Sequence, residues 1–255
     1  MYKITQIKKL KTIYQIMIND QEVIEVEPVI YLKLHLKLFQ ELDQKAYQAF
    51  ILDNQYEKYK RIGLKRLNNM QTKKEMYDYL IKKEATTAIA KQIVFEFAEK
   101  KYLDDYLYTK MYVSLKQHQK GPKYIQDELL KKGVDLNIIL GFTKRINEIE
   151  ILSDLIPKKM RSLNGKKAKK QILLKIKTDF YRLGFSQEAI DTVISKHNYL
   201  LDEVDIHVIE KEVHQQRLKI KSKILTYEDK QKIISKLYRK GYPLDMITKA
   251  LSEIK

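Results

Sequence analysis

Leu129–Val134 (LLKKGV), Phe180–Phe185 (FYRLGF) and Leu237–Tyr242 (LYRKGY) share one pattern, and Leu80–Ala85 (LIKKEA) follows it with a single departure. Each begins and ends on an apolar residue and is basic between. Three place glycine fifth, at Gly133, Gly184 and Gly241. Glycine enters the left-handed backbone region without a Cβ penalty, so each of these segments predicts the C-terminal stop of a helix. Glu84 holds the position in the first copy, where the stop is expected to be made another way. The stops fall 49, 51 and 57 residues apart. A period near fifty predicts a tandem array of three-helix units that bury their apolar faces against neighbours.

Helix starts follow each stop. Thr86 precedes Ile89, Asp135 precedes Ile138 and Ile139, Ser186 precedes Ala189 and Ile190, and Pro243 precedes Met246 and Ile247. The first three are capping residues and proline is a helix opener. Thr72 with Glu75 and Thr226 with Asp229 have capping-box spacing, while Gly121-Pro122 ends one helix and opens the next.

Residues 2–26 read differently. Tyr14, Ile16 and Ile18 alternate, Asn19-Asp20 tolerates positive φ, and Val23, Ile24 and Val26 follow. This predicts a hairpin and, with Ile4 and Ile7, a small three-stranded sheet. Pro28 opens a helix, and a second short helix is expected from Asp43 to Leu52. The expected fold is mainly α: tandem three-helix repeats in an elongated curved array behind a small β-containing N-terminal domain. The domains are 1–52, then repeats at 53–105, 106–152, 153–203 and 204–255.

Composition agrees with helix. Among 255 residues there are only 7 Gly and 4 Pro, 44% are hydrophobic and 33% charged, a balance that supports a packed core with a wet surface. Cysteine is absent, which excludes disulfides, thiol catalysis and cysteine zinc sites. The first residues form no signal peptide, and the most apolar stretch, Pro28–Phe39, is interrupted by Lys33, His35 and Lys37 and is too short to span a bilayer. A cytoplasmic protein without a membrane partner is expected.

The formal charge is +17, and residues 1–52 contribute only +1 of it. The rest is spread over the four repeats, a footprint suited to a long polyanion. The densest basic segment holds Lys158, Lys159, Arg161, Lys166, Lys167, Lys169, Lys170, Lys175 and Lys177, with nothing acidic between Asp154 and Asp179. Pro157 and Asn164-Gly165 predict a helix break that projects lysines from a loop toward phosphates. Neutralising ~4 phosphates would give a salt slope near minus 3.6. A second patch combines Lys116, Lys120 and Lys123 with Lys131 and Lys132 around the Gly-Pro turn, where a helix N-terminus attracts anions.

The stretch Lys100–Asp105 (KKYLDD), Tyr108, Tyr112-Val113, Lys120-Gly121-Pro122, Ile125, Glu128-Leu129 and Lys132-Gly133 resembles the most recognisable block of the RecX regulatory proteins. Thr72–Glu75 and Leu80 resemble the family's first repeat, so the likeness runs over roughly residues 55–255. Residues 1–52 fit the N-terminal extension of its longer members. The resemblance implies a modulator that lies along the RecA filament on single-stranded DNA and inhibits RecA's ATPase and strand exchange. The two basic patches supply the candidate DNA- or RecA-binding residues: Lys116, Lys120, Lys123, Lys131, Lys132, Lys158, Lys159, Arg161, Lys166, Lys167, Lys169 and Lys170. The modulator's partners would be the RecA filament and single-stranded DNA, with duplex DNA a further candidate, and the modulator itself a monomer. Its setting would be DNA repair, recombination and the SOS response.

Other residues carry less. Asp104 and Asp105 sit before an expected helix and read as caps. Tyr108 and Tyr112, at i, i+4, read as a core stripe, leaving Tyr102 and Tyr106 as weaker stacking candidates. His207 and His214 lack companions for a metal. Gly165-Lys166 lacks the flanking residues of a P-loop, and no catalytic constellation or cofactor motif appears. The competing reading is a helix-turn-helix transcription factor, which would need one recognition helix with base-reading Arg, Asn or Gln, whereas lysine here is spread over four units.

Overall fold

The computed structural model describes residues 1–202, 206–220 and 225–253, so the repeat boundary expected at 203/204 lies outside the described residues. The chain opens with an antiparallel meander, β1 (Tyr2–Lys9), β2 (Tyr14–Ile18) and β3 (Glu22–Val26). Asn19 and Asp20 turn β2 into β3 at φ 53° and 57°, the left-handed conformations that match strand twist in a hairpin. The sheet has four strands, not three. A two-residue β4 (Glu41–Leu42) pairs with β1, giving the order β3-β2-β1-β4. So short a strand leaves no alternation to read. Ile4, Ile16, Ile18 and Val26 are buried with Ile30 of α1 (Pro28–Lys33) and Phe50 of α2 (Gln44–Arg66).

The helix expected to end at Leu52 continues to Arg66. Asp43 caps its start, accepting from the Ala46 amide at 2.7 Å. Asn54 is buried: its side chain accepts from the Glu27 amide at 2.9 Å and donates to the Glu25 carbonyl at 2.7 Å. Arg61 holds the Glu27 carboxylate through two 2.8 Å bonds. Tertiary partners therefore satisfy polar groups that would otherwise end a helix. The expected boundary at 52/53 falls inside this one element.

The helices that follow are α3 (Lys73–Lys82), α4 (Thr87–Glu99), α5 (Asp105–Lys116), α6 (Pro122–Lys131), α7 (Leu136–Thr143), α8 (Glu148–Leu163), α9 (Lys169–Arg182), α10 (Gln187–His197), α11 (Ile206–Arg217), α12 (Tyr227–Arg239) and α13 (Leu244–Ser252). α2 packs with α3 and α4, α8 with α9 and α10, and α11 with α12 and α13. Both capping boxes are present, at Thr72 with Glu75 and at Thr226 with Asp229. Thr86 and Ser186 cap α4 and α10.

The four helices that end in the repeated motif stop alike. The fifth residue of each motif donates to the second and the sixth to the first, as in Gly184 to Tyr181 at 2.9 Å and Phe185 to Phe180 at 3.3 Å. This is the double bond of the Schellman stop. Gly133, Gly184 and Gly241 have φ of 76°, 86° and 92°. Glu84 does not use another stop: it takes φ 69° and makes the same pair of bonds. Its side chain points into solvent, so the left-handed backbone there costs only about 1–2 kcal/mol.

Pro157 also corrects the sequence reading. It lies buried inside α8 instead of breaking it, and the chain turns only at Asn164-Gly165. Proline removes one backbone donor, yet Pro157 is buried, as are Ile156 and Met160 of the same helix. Lys158, Lys159 and Arg161 are consequently helical, and of the predicted loop lysines only Lys166 and Lys167 are on the connection.

The chain forms two compact units: Met1–Met111 with Leu129–Ile138, and Tyr112–Glu128 with Ile139–Lys255. The first contains the sheet core and a cluster around Met76, Leu80, Ile93 and Phe97. The second contains one core around Ile156, Ile176 and Val193 and another around Ile209, Leu237 and Ile247. No helix among the described residues is long and apolar enough to cross a membrane.

Candidate nucleic-acid interface

The three glycine stops do more than end helices, because each is pressed against the start of an earlier one. A Cβ built on Gly133 would lie 2.5 Å from the Cβ of Lys74 in α3, and one on Gly241 would lie 2.6 Å from that of Lys170 in α9. Gly184 is as close to Tyr124 in α6. Hydrogen bonds lock two of these seams. Thr72 Oγ1 donates to the Lys132 carbonyl at 2.7 Å, and the Gly121 amide donates to the Leu183 carbonyl at 2.8 Å.

The helix starts at these seams are cationic. Lys73 and Lys74 begin α3, Lys123 is second in α6, and Lys169 and Lys170 begin α9. The first turns of α6 and α9 contain no acid, and Ala168 provides no side-chain cap. A helix N-terminus carries partial positive charge, so each such lysine opposes the dipole by about 0.3–1 kcal/mol. Repeating that local cost at successive helix starts favours an anion beside these lysines.

The sequence-selected cations divide between the two units. Lys131 and Lys132 belong to the first, and the other ten to the second. Lys132 is engaged within the fold: its ammonium binds Glu75 and lies 5.6 Å from the ring centroid of Tyr108. Burial alone would lower its pKa, but hydrogen bonds to Glu75 and Tyr108 carry it above the ordinary value. Lys131 is exposed at the end of α6.

In the second unit, Lys120 lies over Tyr124, 4.4 Å from its centroid, and Lys116 is half-buried. Lys123 pairs with Asp127 at 2.9 Å, with 73% of its side chain exposed; so exposed a pair contributes little and yields readily to a phosphate. Lys159 is 3.5 Å from Asp179. Lys158 faces a cleft of about 550 Å³ that also holds Arg145, His118, Glu150 and Asp154, so its local charge is mixed. Arg161, Lys166, Lys167 and Lys170 are exposed, and Lys169 is half-buried. The structure thus groups Lys166, Lys167, Lys169 and Lys170 over one turn and the following helix start.

Sequence reading missed Arg145 and Arg182. Arg182 lines a second cleft, of about 600 Å³, together with Lys123 and Tyr181. Its signal was visible in the repeat, where the third motif position is basic in all four copies, Lys82, Lys131, Arg182 and Arg239.

Asp104 and Asp105 are caps. Asp104 accepts from the Leu107 amide at 3.0 Å, and Asp105 from the Lys73 amide at 2.9 Å. Burial raises the Asp105 pKa, opposed by that backbone bond. Tyr108 and Tyr112 are half-buried, while Tyr102 and Tyr106 are exposed. Among the described residues no group of three or more His, Cys, Asp or Glu is placed to hold a metal ion.

Residues 211–251 match the model of the RecX third three-helix domain. The chain is 30% identical over 242 residues to the regulatory protein RecX of a Geobacillus species, covering 91% of this chain and 88% of that one. It is 28% identical over 258 residues to that of Streptococcus mutans, covering 98% and 99% respectively. A crystal structure of a regulatory protein RecX superposes with a TM-score of 0.60 at 20% identity, over 76% of this chain and 99% of the other. RecX from Lactobacillus salivarius superposes with a TM-score of 0.52 at 25% identity, over 58% and 99%.

Proposed function

Because the chain belongs to the RecX family of regulatory proteins, we propose that it acts on RecA: it binds the RecA filament on single-stranded DNA and restrains its ATPase and strand exchange, within the regulation of DNA repair and the SOS response. The observation that supports DNA contact is the recurrence of lysine at helix starts beside the stops, at Lys123 and at Lys169-Lys170. Such positions cost stability in the free protein and are relieved by phosphates. Among the exposed members of the basic set, Lys123, Arg161, Lys166, Lys167 and Lys170 are the proposed phosphate contacts. Repeated weak contacts add along a polymeric partner, so a single deep pocket is unnecessary. The protein itself is proposed to catalyse nothing.

The test is RecA ATP turnover on single-stranded DNA across a titration of this protein. Suppression at or below equimolar amounts, with no ATPase or nuclease activity from the protein alone, is expected. Unchanged RecA turnover throughout would overturn the proposal.

A further inference from the structure

The second position of the repeated motif changes character along the chain. It is aliphatic in the first two copies, Ile81 and Leu130, and tyrosine in the last two, Tyr181 and Tyr238. All four face solvent, with Tyr181 64% and Tyr238 63% exposed. Each tyrosine is followed by an exposed arginine, Arg182 or Arg239. Tyr102, Tyr106, Tyr199 and Tyr227 are exposed as well, but none of them stands in the repeated motif, whereas Tyr2 stacks on Tyr47, Tyr14 on Tyr31, and Tyr124 lies beneath Lys120.

The seam geometry supplies each Tyr-Arg pair with a lysine from an earlier helix. Tyr181, Arg182 and Lys123 line the same 600 Å³ cleft, together with Asp127, which pairs with Lys123, and Glu148, which accepts from the Ser186 amide. Tyr238 and Arg239 stand three and two residues before Gly241, where a built Cβ would lie 2.6 Å from the Cβ of Lys170. A flat aromatic face, a forked guanidinium and an ammonium are the three groups that hold one unpaired nucleotide: stacking for the base, and bidentate plus point-charge contacts for its phosphates.

We propose that Tyr181-Arg182 with Lys123, and Tyr238-Arg239 with Lys170, are two nucleotide-gripping subsites for single-stranded DNA. The proposal rests on the DNA-binding reading above and deepens it. Duplex bases are already stacked on each other, so the rings would discriminate single strands from duplex, a selectivity that lysines alone do not provide.

The test measures anisotropy of an end-labelled 20-nucleotide oligothymidine, and of a duplex of equal length, with the full chain across a salt series. Tyr181→Ala with Tyr238→Ala should weaken oligothymidine binding at least about tenfold at fixed salt, with the salt slope unchanged and duplex binding little altered. Tyr181→Phe with Tyr238→Phe should stay near the parent, since the ring and not the hydroxyl is used. Arg182→Gln with Arg239→Gln should lower the slope by about 1.4, or 0.7 for each phosphate released. Parental affinity in the alanine pair, an equal loss on duplex, or a phenylalanine pair as weak as alanine would overturn the subsites while leaving DNA binding intact. A parent that does not bind the oligomer would overturn both readings.

Discussion

A Cβ on Gly184 would sit 2.3 Å from the backbone nitrogen of Tyr124 and 2.5 Å from its Cβ. The glycine is therefore required twice over, by its φ of 86° and by the helix start pressed against it. Gly165 separates the two requirements, having φ of 69° but nothing within 4 Å of where a Cβ would stand. Gly165→Ala should cost about 1–2 kcal/mol from backbone strain alone. Gly184→Ala should cost about 1–3 kcal/mol more from overpacking. Urea unfolding of the two variants reads the difference, and equal losses would mean that the close approach does not hold the seam.

Thr72 serves two elements with one hydroxyl. It accepts from the Glu75 amide at 3.1 Å and donates to the Lys132 carbonyl at 2.7 Å, while fully buried. Thr72→Val keeps the shape and removes both bonds, so a loss of about 2–3 kcal/mol is expected, against less than about 1 kcal/mol for Thr72→Ser. Thermal melts of the two variants decide; a valine variant as stable as the parent beside a destabilised serine variant would show that packing of the methyl group, not the hydroxyl, matters.

Glu96 predicts an acid limit for the first unit. Burial would raise its pKa, but hydrogen bonds from Lys100 at 2.6 Å and from Lys60 and Tyr56 lower it to about 2, from an ordinary 4.5. A carboxylate depressed in the folded state stabilises fully above its unfolded pKa and loses that contribution as pH falls through its folded one. About 3 kcal/mol should thus disappear between pH 4.5 and 2. Glu96→Gln should be less stable at neutral pH and show a flatter acid profile in denaturant titrations. Parallel profiles for variant and parent would remove Glu96 from the acid response.

Lys166, Lys167, Lys169 and Lys170 changed together to Ala should weaken single-stranded DNA binding and flatten its salt dependence, by up to ~2.8 in slope if each meets a phosphate. Identical slopes for variant and parent would exclude this turn from the interface. Lys166, Lys167 and Lys170 are exposed, Lys169 is half-buried, and alanine keeps the Lys170 Cβ that meets Gly241, so circular dichroism should be unchanged.

Local physics makes the repeat readable in the bare sequence. A left-handed glycine, a Thr-x-x-Glu cap and an Asn-Asp turn each state their conformation within a few residues, and the stops at Gly133, Gly184 and Gly241, both capping boxes and the β2–β3 turn follow from sequence alone. What tertiary structure decided are the places where distant groups override local preference. Asn54 stays helical because strand β3 answers its amide. Pro157 stays in α8 because it is buried there, and Glu84 adopts glycine's conformation because its side chain meets solvent rather than a neighbouring helix. The basic seams belong to the same class: Lys123 and Arg182 are 59 residues apart in sequence and share one cleft only because Gly184 lets one helix end approach another helix start. Capping energies depend on neighbours a few bonds away, whereas a surface depends on which segments pack together, and that is fixed by the burial of the whole chain.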